Sequence, residues 1–365
     1  MNDENNPDYI LIFVILTLLV IGLIMLLSAS SVRALNLYND SFYFFKNQLV
    51  SAIIGIGAMF LFMQIDYKIY KKLAKPILLI SLLGLISVMV PGIGKTVGGS
   101  RRWISLGLIN FQPSELAKLG LIIYLAEFIA ERKEKITDFF QGILPPVIIL
   151  GIIFFLILLE PDLGTAVTIT GTVFIILFAA GAELRHLALL ILTGMPLITY
   201  FILNEEYRRE RLLAFLNPWS DPLDTGYHII QSLMALGSGG IFGVGLGNSH
   251  QKFLYLPEPG TDFIFAVLGE EMGLLGTVTI LLLFFILGWR GCKIALSVND
   301  VFGTILATGI TSMIILQAII NIGVVTASMP ITGINLPFIS YGGTSLVIML
   351  SAIGILLNIS LNSMD

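Results

Sequence analysis

The sequence predicts an all-α polytopic membrane protein of about ten transmembrane helices, and three observations carry that reading. Hydrophobic residues make up 56% of the 365 and charged residues only 12%, about half the charged share of a soluble domain. Mean hydropathy is +0.94. Apolar runs of about 20 residues, the length a helix needs to cross the hydrocarbon core, recur along the chain.

Ten such runs follow in order: 9–28, 47–65, 73–91, 113–131, 143–159, 163–181, 186–203, 263–288, 301–328 and 340–361. The acidic start (Asp3, Glu4, Asp8) lacks the basic region of a cleaved signal peptide, so the first run is expected to persist as a span. Glu115, Lys118 and Glu127 interrupt the fourth. Only the turn Glu160-Pro161-Asp162 separates the fifth from the sixth. No stretch remains for a soluble domain, so residues 1–365 read as a single transmembrane domain.

Basic residues in short loops set orientation. Lys68, Lys71, Lys72, Lys75, Arg132, Lys133, Lys135, Arg185, Arg290 and Lys293 fall on one side, against Arg33, Lys46, Lys95, Arg101 and Arg102 in the short loops opposite. The richer side reads as cytoplasmic. Both termini then lie inside, and the large loop 204–262 between the seventh and eighth spans lies outside.

The net charge of −4 gives no reason to expect a nucleic-acid partner. Cys292, the single cysteine, excludes an intrachain disulfide and a cysteine-based zinc site. His186, His228 and His250 lack the spacing of a metal cluster.

In so apolar a chain, ionisable residues in or beside spans are the functional candidates. Four groups stand out, all on the outer side. The first runs from Gly98-Gly99-Ser100-Arg101-Arg102-Trp103 to Gln112-Pro113-Ser114-Glu115-Leu116-Ala117-Lys118. Its paired arginines either grip phosphate or anchor the chain at lipid headgroups beside an interfacial Trp103. Glu115 and Lys118, three apart on one helix face, can pair and are expected to line a polar cavity.

The second group is Glu160-Pro161-Asp162-Leu163-Gly164-Thr165. Its two carboxylates bind a metal, orient a sugar, or simply make a turn and cap a helix. The third, Tyr255-Leu256-Pro257-Glu258-Pro259-Gly260-Thr261-Asp262, ends on a carboxylate at the mouth of the eighth span. Asp262 is either a reactive base or a helix N-terminal residue favoured by the macrodipole. Glu270 and Glu271 should lie roughly 12–13 Å deeper at about 1.5 Å per residue, facing the bundle interior.

The fourth is the Pro/Gly-rich stretch Pro330–Ser345, which includes Ser340-Tyr341-Gly342-Gly343. It cannot be regular helix, and irregular backbone at membrane depth must be buried or line a cavity. The Gly-rich segment Gly237–Gly247 lacks the Lys-Ser/Thr of a P-loop and reads as close backbone packing.

These motifs, in this order across ten spans, resemble the SEDS family (shape, elongation, division and sporulation; the FtsW/RodA/SpoVE proteins). The likeness is most specific over Ser100–Lys118, Gly226–Gly273 and Pro330–Thr344. Ala235–Gly240, Gly245–Ser249 and Asn321–Thr326 look most like the division and sporulation branch, whereas Thr261-Asp262 is common in the elongation type.

The resemblance implies a peptidoglycan glycosyltransferase that polymerises lipid II, a disaccharide-pentapeptide on undecaprenyl pyrophosphate, at the outer face of the membrane. It implies a class B penicillin-binding protein as partner, alongside other division or sporulation membrane proteins. The family's essential aspartate falls on Asp262, its Arg-Trp pair on Arg102 and Trp103, and its Glu and Lys on Glu115 and Lys118.

That chemistry needs cations or a divalent metal, Mg or Mn, for the pyrophosphate leaving group, and no organic cofactor. Arg101, Arg102, Lys118 and Lys252 are the cations expected to bind substrate, with Glu160, Asp162, Ser340, Tyr341, Gly342 and Gly343 lining the site. One base suffices for an inverting transfer. The competing readings are a lipid II flippase and a non-catalytic scaffold for the transpeptidase.

Overall fold

The computed structural model describes residues 6–97, 100–105, 110–252, 256 and 258–362; Asp3, Glu4, Gly98, Gly99, Tyr255 and Pro257 lie outside the described residues. The described chain is a helical bundle. Seven helices come first: α1 (Tyr9–Tyr38), α2 (Tyr43–Gln64), α3 (Lys68–Met89), α4 (Pro113–Glu131), α5 (Leu144–Leu159), α6 (Leu163–Ala179) and α7 (Leu184–Leu203). The segment read as the outer loop carries α8 (Glu206–Leu216) and α9 (Tyr227–Gly239), and α10 (Ile264–Ser297), α11 (Val301–Val325) and α12 (Gly343–Leu361) complete the bundle. Each run read as a span falls on a helix. Among the described residues eight helices are long and apolar enough to cross a membrane, α5 by continuing from the π-helical turn Phe139–Ile143; α6, at 17 residues, is shorter, and α4 carries charge.

The helix ends follow from local chemistry. Asp8 caps α1 by accepting from Leu11 N at 3.0 Å, and the helix continues ten residues past its expected end before Asn39 stops it in a left-handed conformation. Ala29, Arg33, Ala34, Leu35 and Leu37 in that extension favour helix as the chain leaves the apolar layer. Asp162 and Asp300 cap α6 and α11 in the same way as Asp8.

Both chain ends meet on one face of the bundle, as charge counting anticipated. Asp8 N donates to Ser360 Oγ at 3.3 Å, and the Asp8 carboxylate pairs with Arg290 at the far end of α10 at 2.6 Å. On the same face, Tyr67 N donates to Asn358 Oδ1 at 2.8 Å.

α4 lies inside the bundle, packed against α3 and α11. That placement explains its charges: Glu115, Lys118 and Glu127 are all buried, so protein rather than lipid receives them.

Two features differ from the sequence expectation. Residues 94–111, read as a plain loop, form a small antiparallel sheet of β1 (Gly94–Val97), β2 (Ser100–Ser105) and β3 (Asn110–Phe111), in the order β1-β2-β3.

The second feature is a break in α10 at Gly273, whose backbone is left-handed at φ 66°. The Gly-rich segment docks there main chain to main chain. Val244 N and Gly245 N donate to Glu270 O and Glu271 O, and Leu274 N and Leu275 N donate to Gly240 O and Ile241 O. A Cβ on Gly239 or Gly243 would collide with Gly269 O or Glu271 O, which is why this packing requires glycine.

The stretch just before this break packs against α1. A Cβ on Gly260 would sit 3.1 Å from Leu26 Cδ1, while Glu271 accepts from Ser28 Oγ at 2.6 Å. Both contacts fall on one turn of α1, which rises only about 6 Å. Glu270 and Glu271 are buried, as anticipated.

Candidate active site

At the end of the bundle opposite the chain termini, the connection between α11 and α12 acts as a hub. It is irregular, as its Pro and Gly content demands. Four consecutive residues each meet a different part of the protein. Ile331 O accepts from Arg211 Nη1 of α8 at 3.3 Å. Thr332 O lies against Gly164 at the start of α6, so closely that a side chain there would not fit. A Cβ on Gly333 would stand 3.6 Å from Asp262 Oδ2. Asn321 Nδ2 of α11 donates to Ile334 O at 2.7 Å and to Asp262 O at 2.8 Å.

Asp262 is half-buried just before α10. Among the described residues no donor is bonded to its carboxylate, although its backbone is fixed. Burial and, next, the negative Glu258 push its pKa up to about 6, against the pull of Arg211 and Arg102. Glu258 is committed elsewhere: Arg33 pairs with it at 2.6 Å and holds its carboxyl below the usual range. Asp262 thus keeps both carboxylate oxygens unbonded among the described residues, while Glu258 beside it is paired.

Of Ser340, Tyr341, Gly342 and Gly343, all expected to face a headgroup, the first two hold the Asp262 arm and the two glycines pack against α2. Ser340 is buried; its hydroxyl donates to Thr261 O at 2.6 Å and accepts from Leu336 N at 2.8 Å. Tyr341 N donates to Gly260 O at 2.9 Å, and its ring packs edge-on to Phe44. Gln48 spans Ser340 O and Gly342 N at 3.1 Å each. A Cβ on Gly343 would press on Ser51 Oγ at 2.7 Å. The Ser340 hydroxyl and the Tyr341 and Gly342 amides are therefore bonded within the protein rather than left open.

Arg102 reaches the second motif because β2 carries a bulge. The register passes from Lys95↔Trp103 to Thr96↔Arg101, which leaves Arg102 unpaired across the ladder, and a bulge re-aims its side chain. Arg102 Nε donates to Glu160 O at 3.0 Å and Nη2 to Pro161 O, with Asp162 Oδ2 at 3.8 Å. Asp162 also accepts from Thr165 N at 3.0 Å, so the cap reading of this residue holds. Glu160 is buried with both carboxyl oxygens unpartnered. Burial and Asp162 push its pKa up to about 8, opposed by Arg102. Glu160 is therefore protonated at neutral pH.

Two expected cations, Arg101 and Lys252, are engaged elsewhere. Arg101 is exposed and turns back on its own sheet, Nε donating to Thr96 Oγ1 at 3.4 Å; Trp103 is half-buried in the same strand. Lys252 is buried and pairs with Glu271 at 3.1 Å, also donating to Ser28 Oγ at 3.1 Å. It belongs with Ser249 and Glu270 to the junction that locks the Gly-rich segment onto α10.

Glu115 and Lys118 do pair, at 2.8 Å, and Ser345 Oγ donates to Glu115 Oε2 at 3.0 Å. The void beside Lys118 is lined mainly by Leu121, Ile122, Ile169, Val173 and Met313. This corrects the expected polar cavity: the pair is buried, completed by a hydroxyl, and ties α4 to the start of α12.

Two residues at the hub carry no signal that sequence reasoning used. Arg211 lies in the large loop 204–262, outside the short-loop charge count, although the run Tyr207-Arg208-Arg209-Glu210-Arg211 can form a helix that turns one arginine inward. Asn321 is a buried amide inside a span, a residue type that needs partners by default.

A half-buried carboxylate with free oxygens, flanked by guanidiniums, is equipped to take a proton beside a bound anion. The family model described as "Cell cycle protein" (FtsW/RodA/SpoVE) matches residues 9–365. Stage V sporulation protein E of Bacillus subtilis is 49% identical over 98% of both chains. The probable peptidoglycan glycosyltransferase FtsW of Geobacter metallireducens is 45% identical over 99% of this chain and 96% of its own.

Among solved structures, a chain from a peptidoglycan synthase complex that coordinates polymerisation and crosslinking superposes with a TM-score of 0.80 at 30% identity, over 98% of this chain and 99% of that one. The rod shape determining protein RodA of Thermus thermophilus superposes at 0.73 with 28% identity over 98% of both. With its whole length matched and its helices superposed, this chain belongs to the FtsW/RodA/SpoVE family of cell cycle proteins.

Proposed function

We propose that the protein is a peptidoglycan glycosyltransferase that polymerises lipid II at the outer face of the cytoplasmic membrane, with Asp262 as the base of an inverting transfer. The observation that carries this reading is the state of Asp262: half-buried, unbonded at its carboxylate and raised to about 6. The names of the relatives agree with it. The acceptor hydroxyl would lose its proton to Asp262 as it attacks the anomeric carbon of the donor. The departing lipid pyrophosphate would be met by the positive field of Arg102 and Arg211.

Among the described residues, no three His, Cys, Asp or Glu side chains gather to hold a metal. A Mg or Mn ion would then be held largely by pyrophosphate oxygens with one carboxylate, Asp162 or Asp262. It would supply charge neutralisation at the leaving group. A class B penicillin-binding protein and other division or sporulation membrane proteins are the partners this reading assigns. The testing experiment is glycan polymerisation by the purified protein on lipid II, with and without that transpeptidase. Lipid II binding with no glycan product under either condition would sink the enzyme reading and favour a flippase or scaffold.

A further inference from the structure

The two guanidiniums at the site are not equivalent. Arg102 is largely consumed by its own hairpin, donating to Glu160 O and Pro161 O with Asp162 alongside. Arg211 donates only through Nη1, to Ile331 O, at a long 3.3 Å. A guanidinium has several further N–H donors in a rigid fork, and these are unbonded among the described residues. No carboxylate there lies within ion-pair distance of Arg211, whereas its neighbour Arg209 faces Glu206 at 3.8 Å. Arg208 is occupied too, donating to Phe201 O at 3.1 Å. Tyr207 holds the Arg211 group from one side, its ring centroid 4.2 Å from the guanidinium carbon.

Arg211 is also in the right place. Ile331, which it touches, is two residues from Gly333, against which the Asp262 carboxylate lies. A half-buried guanidinium with an open fork and no counter-ion is short of one anion. The donor's pyrophosphate is the anion that must lie near the base for transfer to occur.

We propose that Arg211, rather than Arg102, makes the direct bidentate contact to the pyrophosphate of the lipid-linked donor, while Arg102 positions the Glu160–Asp162 hairpin. This assignment rests on the glycosyltransferase reading for the identity of the anion. Loss of a charge-assisted bidentate contact should weaken binding on the order of 10–100-fold.

The test measures binding of undecaprenyl pyrophosphate and undecaprenyl monophosphate to detergent-purified wild type, Arg211→Met and Arg211→Lys, with thermal unfolding as the check on folding. Arg211→Met should lose pyrophosphate affinity by that factor and monophosphate affinity far less. Arg211→Lys keeps the charge and a donor for Ile331 O but not the fork, so it should remain impaired for pyrophosphate. Equal losses for both lipids, or wild-type pyrophosphate binding in Arg211→Lys, would make Arg211 a support for the 331–334 hub and overturn the assignment.

The two readings fail separately. Wild type that polymerises lipid II while both variants bind pyrophosphate normally removes Arg211 alone. Wild type that makes no glycan but binds pyrophosphate through Arg211 removes the polymerase and leaves this site.

Discussion

The titration of Asp262 gives a quantitative test of the proposed base. A base works only when deprotonated, so kcat/KM for polymerisation should follow its ionised fraction. With a pKa of about 6, that fraction is roughly 90% at pH 7 and roughly 10% at pH 5, a loss of about tenfold. An ordinary aspartate near 3.8 would still be about 94% ionised at pH 5 and show almost no loss. The assay is initial-rate glycan synthesis on lipid II by purified protein between pH 5 and pH 8, with binding of the lipid measured in parallel to separate capture from chemistry. Glu160, raised to about 8, contributes any further change above pH 7. A rate unchanged from pH 7 to pH 5, with binding also unchanged, would show that no group raised to about 6 acts as the base and would refute the reasoning.

Asp262→Asn should reduce polymerisation by roughly 10²–10⁴-fold while raising thermal stability at pH 7. The sign follows from linkage: a carboxyl with a raised folded-state pKa binds its proton more tightly when folded, so stability falls as pH rises from the unfolded value toward about 6. The shift corresponds to at most about 3 kcal/mol, less after allowance for solvent screening at a half-exposed group; a lower melting temperature in the variant would contradict it. Glu115→Gln should destabilise by about 3–5 kcal/mol, because Lys118 stays buried without its counter-charge; denaturant unfolding measures this, and a change below about 1 kcal/mol would show that the pair is solvated. A cysteine at exposed Asn248, with Cys292 replaced by Ser, should react with an impermeant thiol reagent added outside intact cells. Labelling only from the cytoplasmic side would invert the orientation.

Much of the bundle was legible because a helix in lipid must satisfy its own backbone and turn apolar side chains outward. Those demands are local, so length and hydropathy locate the helices without knowledge of their neighbours. The charges of α4 could be recognised as inward-facing for the same reason. The α10 break was less visible: Gly273 alone predicts no direction, and only the docked Gly237–Gly247 segment shows where the exposed main-chain groups of residues 270–275 find partners.

Within the site, residue type sufficed where a single side chain carries the chemistry and failed where the role depends on what already occupies it. Asp262 was identifiable as a carboxylate where water gives way to hydrocarbon. Ser340, Gly342 and Gly343 look like free donors in sequence, yet Ser340 is bonded to the Asp262 arm and the two glycines lie against Gln48 and Ser51 of α2. Arg101 and Arg102 are chemically identical neighbours, separated only by a bulge in β2. Lys252 resembles a substrate cation until Glu271 is found beside it. The sequence by itself determined the helices and singled out Asp262, the carboxylate proposed as the base, because hydrophobic length and residue chemistry are carried by short stretches of chain. Only the tertiary structure decided which cation remains open, Arg211 rather than Lys252, because an unspent hydrogen-bonding capacity depends on partners that lie far away in the chain.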